Sequence, residues 1–367
     1  MSTKIVFLGE AWGEHEDAFG KGLVGPTGIE LFKLCHEAGL LHLEREHWRH
    51  IQEFWNTREP YYVDLIWQDF PELHRTNVIN QRPPGNKLPA FCGGKKEGVV
   101  GYPAIVKGKF LLRSFQHELD RLAEELDRLN PNLVVALGNT AMWALLGQIS
   151  ITKNRGTTSL SSHTIAGFKV LPTYHPAAIF QQYKIRPIVV IDLMKAAREA
   201  EFPEIRRPRR EIWIDPTLED LEVFYDSFIQ RCQLLSVDIE TSGTLITCIG
   251  FSPRPDLALV VPFFDPRKKG RSYWPTARDE CAAKEFVARV LGDARIKKLF
   301  QNGLYDIAFL LRADGIAVMG AEEDTMLMHH ALQPESLKSL GFMGSIYTSE
   351  TNWKTYREIV ETVKRDD

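Results

Sequence analysis

The chain has 367 residues, 44% of them apolar and 25% charged, with a formal net charge of −3. Its length favours two domains, and its near-neutral charge argues against broad electrostatic binding of nucleic acid, though not against a local basic groove. Apolar runs far short of about 20 residues, a start without the shape of a secretory leader, and five scattered cysteines (Cys35, Cys92, Cys232, Cys248, Cys281) with no CxxC pair point to a reduced, cytoplasmic, globular protein without membrane spans, zinc knuckles or a disulfide framework.

Ile5–Leu8 reads as a short buried strand. Gly9 to Gly25, GEAWGEHEDAFGKGLVG, follows with five glycines and four carboxylates. It leads into a stretch, Gly28–Cys35, whose Ile29, Phe32 and Leu34 suit an amphipathic helix. Glycines let backbone approach a ligand, a helix N-terminus favours phosphate, and a carboxylate there can orient water; an ordinary strand-to-helix loop would look the same. Leu41 to His74 carries Trp48, Trp55, Tyr61, Tyr62, Trp67 and Phe70 among many charges. It reads either as a helical subdomain packing its own aromatics or as a platform for bases or a partner protein.

Thr76–Lys87 is a short strand running into a Pro-Gly loop, and Asn77 at a strand end offers donor and acceptor together, which suits a pyrimidine edge. Lys95, Lys96, Lys107 and Lys109 are candidate phosphate contacts. A helix over 112–129, closed by Asn130-Pro131, precedes the apolar run Leu133–Leu137, which reads as a central parallel strand feeding a helix over 140–146. A further strand, 169–173, leads to Tyr174-His175-Pro176. Strand and helix alternate, so this half is α/β with a mostly parallel sheet. Its loops at Glu10, Asn77 and His175 then share the carboxyl edge where ligands bind.

GEAWGEHED, NVINQRPPGN, NPNLVVALGNTA, ITKNRG and LPTYHPAA, in that order over residues 3–200, resemble the uracil-DNA glycosylase superfamily, and most of all its iron–sulfur-containing family-four branch. The resemblance implies a three-layer α/β/α domain that holds a flipped-out uracil while water attacks the sugar C1′. By matching positions, Glu10 and Glu16 place the water and contact substrate, Asn77 reads the uracil edge, and His175 stabilises the leaving group. His175 can also be a structural cap on the Pro176 turn. Trp12 and Leu23 belong to the implied base pocket, and Gly25, Arg82, Asn86 and Lys87 to the DNA contacts. Trp12 stands where the family has proline, and Leu23 where it has an aromatic that stacks on uracil. One family cysteine position holds Gln81, the N-terminal cysteine pair is absent, and Cys92 alone lies near a family ligand, so no iron–sulfur cluster is expected. The departures leave open a pocket that binds uracil, another modified base or DNA without cutting.

Glu201–Arg210, EFPEIRRPRR, has the composition of a linker, with a basic patch that is either a solvated hinge or a phosphate contact. Beyond it, 218–232 reads as a helix and 233–241 as a strand. Asp238 and Glu240 fall on one face of that strand, roughly 6–7 Å apart, an expensive arrangement on a buried strand unless cations bind. Thr247–Phe251 and Leu257–Pro262 form an expected antiparallel pair, followed by a helix over 279–291, a strand over 298–300 and a helix opening at Gln301–Asp306.

Asp238-Ile239-Glu240, Asn302 to Asp306, Glu323-Asp324-Thr325-Met326, and Ser345-Ile346-Tyr347-Thr348 with Trp353-Lys354 resemble the DEDD-type 3′–5′ exonucleases, most of all the proofreading domain of bacterial and phage family A DNA polymerases. The resemblance implies an RNase-H-like fold with a mixed sheet over 212–367. It also implies Mg²⁺ or Mn²⁺ held by Asp238, Glu240 and Asp306, and DNA contacts at Asn302 and Tyr305. The family's Tyr-x-x-x-Asp motif is missing: Thr362 and Val363 stand four residues before Asp366 and Asp367. The expected organisation is a glycosylase-like domain (1–200), a linker (201–211) and an exonuclease-like domain (212–367), either cut before its last motif or carrying a degenerate one. Such a chain would process single-stranded or uracil-containing DNA in a bacterial or phage-infected cell, alone or beside a polymerase domain or replication proteins.

Overall fold

The computed structural model describes residues 3–162, 165–268, 272–348 and 350. These form two compact units: the described residues up to Arg206 together with those from Gly344, and Arg207–Met343. No described helix is long and apolar enough to cross a membrane.

The first unit runs β1 (Ile5–Ala11), α1 (Glu14–Phe19), α2 (Pro26–Glu37), α3 (Arg45–Thr57), α4 (Tyr61–Gln68) and β2 (Leu73–Ile79). A short antiparallel pair, β3 (Cys92–Gly93) and β4 (Phe110–Leu111), follows. Then come α5 (Gln116–Leu129), β5 (Leu133–Leu137), α6 (Gly138–Leu146), α7 (Ile151–Asn154), β6 (Ser159–Leu160), β7 (Lys169–Thr173) and α8 (Arg186–Glu199). Its sheet has the order β2-β1-β5-β7-β6, parallel except for the edge strand β6. Strand periodicity of two sorts the core into two layers. Ile5, Phe7, Val135 and Leu171 pack with Phe32, Phe54, Trp67 and Leu193 of α2, α3, α4 and α8. Val6, Leu8, Val134 and Val170 face the other way, onto Leu119, Leu122 and Trp143 of α5 and α6. The result is the three-layer α/β/α arrangement, each buried Leu or Phe contributing about 1.5–3 kcal/mol.

Two local expectations change. The strand does not stop at Leu8: pairing with β2 as far as Ala11↔Ile79 carries Glu10 into the sheet. Inside the glycine-rich stretch, Glu14–Phe19 forms α1, with the Glu16 carboxylate accepting from the Gly13 amide and Gly20 closing the helix at φ 75°. The aromatic insertion divides its rings: Phe54 and Trp67 are buried in the core, whereas Trp48, Trp55 and Tyr61 are exposed. Glu201–Glu204 is held to the first unit, since the Lys169 ammonium donates to the carbonyls of Glu199, Phe202 and Glu204.

The second unit comprises β8 (Glu211–Trp213), α9 (Leu218–Phe224), β9 (Leu234–Ser242), β10 (Leu245–Arg254), β11 (Leu257–Pro262), α10 (Ala277–Gly292), β12 (Lys297–Phe300), α11 (Gly303–Asp314), β13 (Ala321–Asp324), α12 (Thr325–Leu332) and the start of α13 (Leu340–Tyr347). α9 passes into a π-helical turn over Tyr225–Ile229 rather than continuing as one α-helix to Cys232. The sheet order is β13-β12-β9-β10-β11-β8, with β9, β10 and β11 antiparallel and the remaining pairs parallel, an RNase-H-like mixed sheet. β9 is one-sided: Leu235, Val237 and Ile239 are buried while Asp238 and Glu240 are exposed. The two carboxylates therefore share an open face, not a buried one.

Candidate functional site

Because β1, β2, β5 and β7 run parallel, their carboxyl ends form one edge of the first unit's sheet. Chain direction switches there between β1 and β5, the place where open α/β sheets bind ligands. Glu10 lies at this switch point, and its Oε2 accepts a hydrogen bond from Thr140 Oγ1 in the first turn of α6. Gly138 begins that helix at φ +87°, and a Cβ there would come within 3.1 Å of His175 Cβ. The left-handed backbone favours glycine here, and a Cβ would also crowd His175.

Asn77 is buried in β2 beside Gly9. A Cβ on Gly9 would lie 2.0 Å from Asn77 Oδ1, and one on Gly22 would lie 2.9 Å from its Nδ2. The carboxamide is thus clasped by two glycines of the opening stretch. Its Nδ2 is buried without a hydrogen-bond partner, whereas the Asn77 carbonyl accepts from Arg121. A donor left unmade in an interior is costly and rare, so its presence at a ligand edge is informative.

His175 follows β7. Its Nδ1 accepts from the Ala177 amide at 3.3 Å, capping the turn Pro176–Phe180, so the neutral ring carries its proton on Nε2. Burial pushes its pKa down to about 4, which keeps the ring neutral at physiological pH. The structural and functional readings of this residue are compatible, because capping uses one nitrogen and leaves the other as a donor.

Glu16 is engaged by backbone. Its carboxylate accepts from the amides of Gly13 (3.1 Å) and Gly25 (3.3 Å), tying both ends of the glycine-rich stretch together. Leu23 sits at φ 53° and buries its side chain in the core, with its carbonyl accepting from Trp67 Nε1. Trp12 is half-buried, its Nε1 without a partner. Arg82, Asn86 and Lys87 are exposed on the Pro-Gly loop, where Arg82 Nε donates to Asn86 Oδ1 at 2.8 Å. Lys95, Lys96, Lys107 and Lys109 are exposed as well.

In the second unit Asp306 sits in the first turn of α11, buried, with its pKa pushed up to about 6 by burial and then by Asp238 and Asp324. Asn302, at φ 60°, precedes that helix, and the Tyr305 hydroxyl lies 3.1 Å from Thr241 Oγ1 on β9. Asp324 organises this corner: Oδ2 accepts from the Gly303 amide, and Oδ1 from those of Asn302, Met326 and Leu327. The carboxylate oxygens of Asp238, Glu240 and Asp306 are the hard donors that Mg²⁺ or Mn²⁺ prefers. Among the described residues, however, no three His, Cys, Asp or Glu side chains gather closely enough to hold an ion. Trp353, Lys354, Asp366 and Asp367 lie outside the described residues.

The family model of the uracil DNA glycosylase superfamily matches residues 1–197, more than half of the 367. The chain belongs to the uracil DNA glycosylase superfamily. Among its relatives, the type-4 uracil-DNA glycosylase of Thermotoga maritima is 30% identical over 200 residues, covering 53% of this chain and 77% of that protein. A DNA polymerase of Bacillus phage SP01 is 22% identical over 288 residues, 70% of this chain but 28% of the polymerase, so the chain spans little more than a quarter of that relative. A solved catalytic core of RRP6 from Trypanosoma brucei has a TM-score of 0.31 at 17% identity, covering 39% of this chain and 36% of that one.

For this superfamily member, sequence reasoning overlooked three groups. Thr140, the partner of Glu10, was legible as a helix start but not as a hydrogen-bond donor across the sheet. Asp324 gave only a motif resemblance, and its role appears from four backbone amides that no spacing reveals. Asn80 carries no sequence signal of its own; its Oδ1 is buried without a partner.

Proposed function

We propose that the first unit excises uracil from DNA, with Asn77, Glu10 and His175 as the acting groups. The single observation that carries this reading is the buried, unpartnered Nδ2 of Asn77 at the carboxyl edge of the sheet, held between Gly9 and Gly22. A pyrimidine carbonyl completes that donor. Neutral His175 offers Nε2–H to the oxygen that gains charge as the glycosidic bond lengthens. A proton already on the ring and a pKa near 4 mean that it stabilises by hydrogen bonding and not as an imidazolium. The Glu10 carboxylate, fixed by Thr140, orients water and stabilises the cationic sugar. Glu16 acts as a positioning residue, since it holds the Gly13 and Gly25 amides. Exposed Arg82, Asn86, Lys87 and the lysines after them supply phosphate contacts. The reading assigns no iron–sulfur cluster, because Cys92 is the one cysteine near a family ligand position.

The second unit is read as an exonuclease-type module for a DNA 3′ end, with Mg²⁺ or Mn²⁺ as its cation and cleavage weak or absent. Support comes from its mixed sheet and the Asp238–Asp306 proximity. Asn302 and Tyr305 are its proposed strand contacts. A division into residues 1–200, 201–211 and a second module from 212 is proposed with it, the described chain from Gly344 grouping with the first unit, as is a bacterial or phage-infected cytoplasm and association with a polymerase or replication proteins.

A gel assay for abasic sites, run beside a binding assay on uracil-containing DNA, tests the first unit. Abasic product from the wild type supports excision; tight binding without product replaces it with a base sensor, which the core position of Leu23 in place of a stacking aromatic would favour. For the second unit, metal-dependent shortening of a 3′ end should be slow and lost in Asp238→Ala; robust digestion that survives this substitution refutes the assignment.

A further inference from the structure

Along the outer side of β2 lies a cavity of about 380 Å³, within the range of about 300–1,000 Å³ typical of small-ligand sites. Trp12 and Gly22 of the opening stretch line it together with Arg75, Thr76 and Asn80. Glu10, Asn77 and His175 are not among its lining residues, but Gly22, which clasps Asn77, and Trp12 are, so the cavity adjoins the excision site without sharing its acting groups.

Two lining side chains hold buried polar atoms without a partner: Trp12 Nε1, which can only donate, and Asn80 Oδ1, which can only accept. Each is costly to leave unmade in an interior. The charges around the cavity are, by contrast, already matched. Asp64 accepts from Lys21, Arg75 and Gln68, and despite its burial these bonds hold its carboxyl below the usual carboxylate range. Glu125 accepts from His74, Thr76 and Arg121. A phosphate or a cation would have to break one of these pairs. A neutral, flat group offering an acceptor beside a donor would not, and its edge matches the donor of Trp12 and the acceptor of Asn80 that are left without partners.

We propose that this cavity is a second base-binding pocket, which holds a nucleobase edge between Trp12 Nε1 and Asn80 Oδ1. Every common base presents an acceptor next to a donor on one edge, so the pocket selects for a base and not for one base. The Trp12 and Trp67 indoles among its walls suit a planar ring. The proposal rests on the first unit's handling of DNA bases. The base can come from a free nucleoside or from a nucleotide of the bound strand beside the one being excised.

Calorimetric titration of the full chain separates these sources, with thymidine and deoxycytidine in one arm and a short single-stranded oligothymidylate in the other. Binding in either arm should weaken about tenfold or more in Trp12→Phe and in Asn80→Ala, the loss expected for one buried hydrogen bond. Thermal melts verify that both variants fold. Binding of nucleosides identifies a free-ligand pocket; binding of the oligonucleotide alone identifies a strand contact. In His175→Ala this binding should persist while uracil release falls. Absence of binding in both arms, or wild-type affinity in Trp12→Phe and Asn80→Ala, overturns the proposal and leaves the excision reading standing. Binding sensitive to Trp12 and Asn80 without any uracil release has the opposite consequence.

Discussion

His175 shows how one side chain joins fold to chemistry. The pattern Tyr174-His175-Pro176 suggested either a cap or a leaving-group donor; the ring serves as the first through Nδ1, which leaves Nε2 for the proposed second role. Its depressed pKa has a consequence for stability. In the unfolded chain the imidazole takes up a proton near its ordinary value of 6.5, whereas in the fold it does so near 4. As pH falls through that window the unfolded state binds more protons, so stability is lost, by on the order of 3 kcal/mol when complete. Denaturant melts at pH 7 and pH 4.5 should show this slope in the wild type and a shallower one in His175→Gln; equal slopes would place the ring in solvent. A second test concerns the clasp on Asn77. Gly9→Ala puts a methyl group 2.0 Å from the Asn77 oxygen. It should reduce uracil release by tenfold or more while costing about 1–3 kcal/mol of stability, as overpacking does. Sequence reading found Asn77 and His175 through residue type and motif order. It could not find the clasp, because glycines far from Asn77 along the chain touch it only after β1 and β2 pair.

At the scale of elements, strong periodic signals transferred well. Leu133–Leu137 is a fully buried central strand and Gln116–Leu129 an amphipathic helix, since each carries its own hydrophobic pattern. The opening stretch transferred least. Five glycines disguised both the last turns of β1 and the helix α1, which depend on cross-strand pairing and on the Glu16 carboxylate capping Gly13. β9 illustrates a half-legible element: its alternation correctly placed Asp238 and Glu240 on one face, but single-sequence reading cannot tell an open face from a covered one. In α11, Asp306 carries a stability cost at neutral pH. Its folded pKa lies near 6, above the ordinary 3.8, so stability falls as pH rises through that window and stays reduced above it. Asp306→Asn should therefore stabilise the second unit by about 2–3 kcal/mol at pH 7.5 and by little at pH 4. Calorimetric scans at both pH values check it; an unchanged or lower melting temperature at pH 7.5 would mean that neither burial nor Asp238 penalises the Asp306 carboxylate.

For the whole molecule, each unit has its own core, and the first also includes the chain from Gly344. Ser345 and Thr348 looked like part of the exonuclease pattern; in the fold they serve the first unit. Ser345 Oγ accepts from Arg155, and the Thr348 carbonyl accepts from Lys195. Arg155 and Asp192 form a fully buried pair, with Thr173 Oγ1 donating to the same carboxylate at 2.7 Å. No short-range pattern in sequence brings residues 155, 192 and 345 together, which is why this cluster was invisible beforehand. Removing one charge leaves the other uncompensated, so Asp192→Asn should cost about 3–5 kcal/mol. A chain ending at Met343 should lower the first unit's transition by about 1–3 kcal/mol for each group it orphans. Thermal unfolding followed by two probes, one per unit, reads both effects.

The central claim is that the carboxyl edge of the first sheet excises uracil through Asn77 and His175. Single-turnover release of uracil from a uracil-containing oligonucleotide tests it most directly, with the wild type, Asn77→Ala and His175→Ala measured side by side. Release by the wild type, slowed about a hundredfold or more in each variant, is the expected result. Release that proceeds at the wild-type rate in both variants would contradict it.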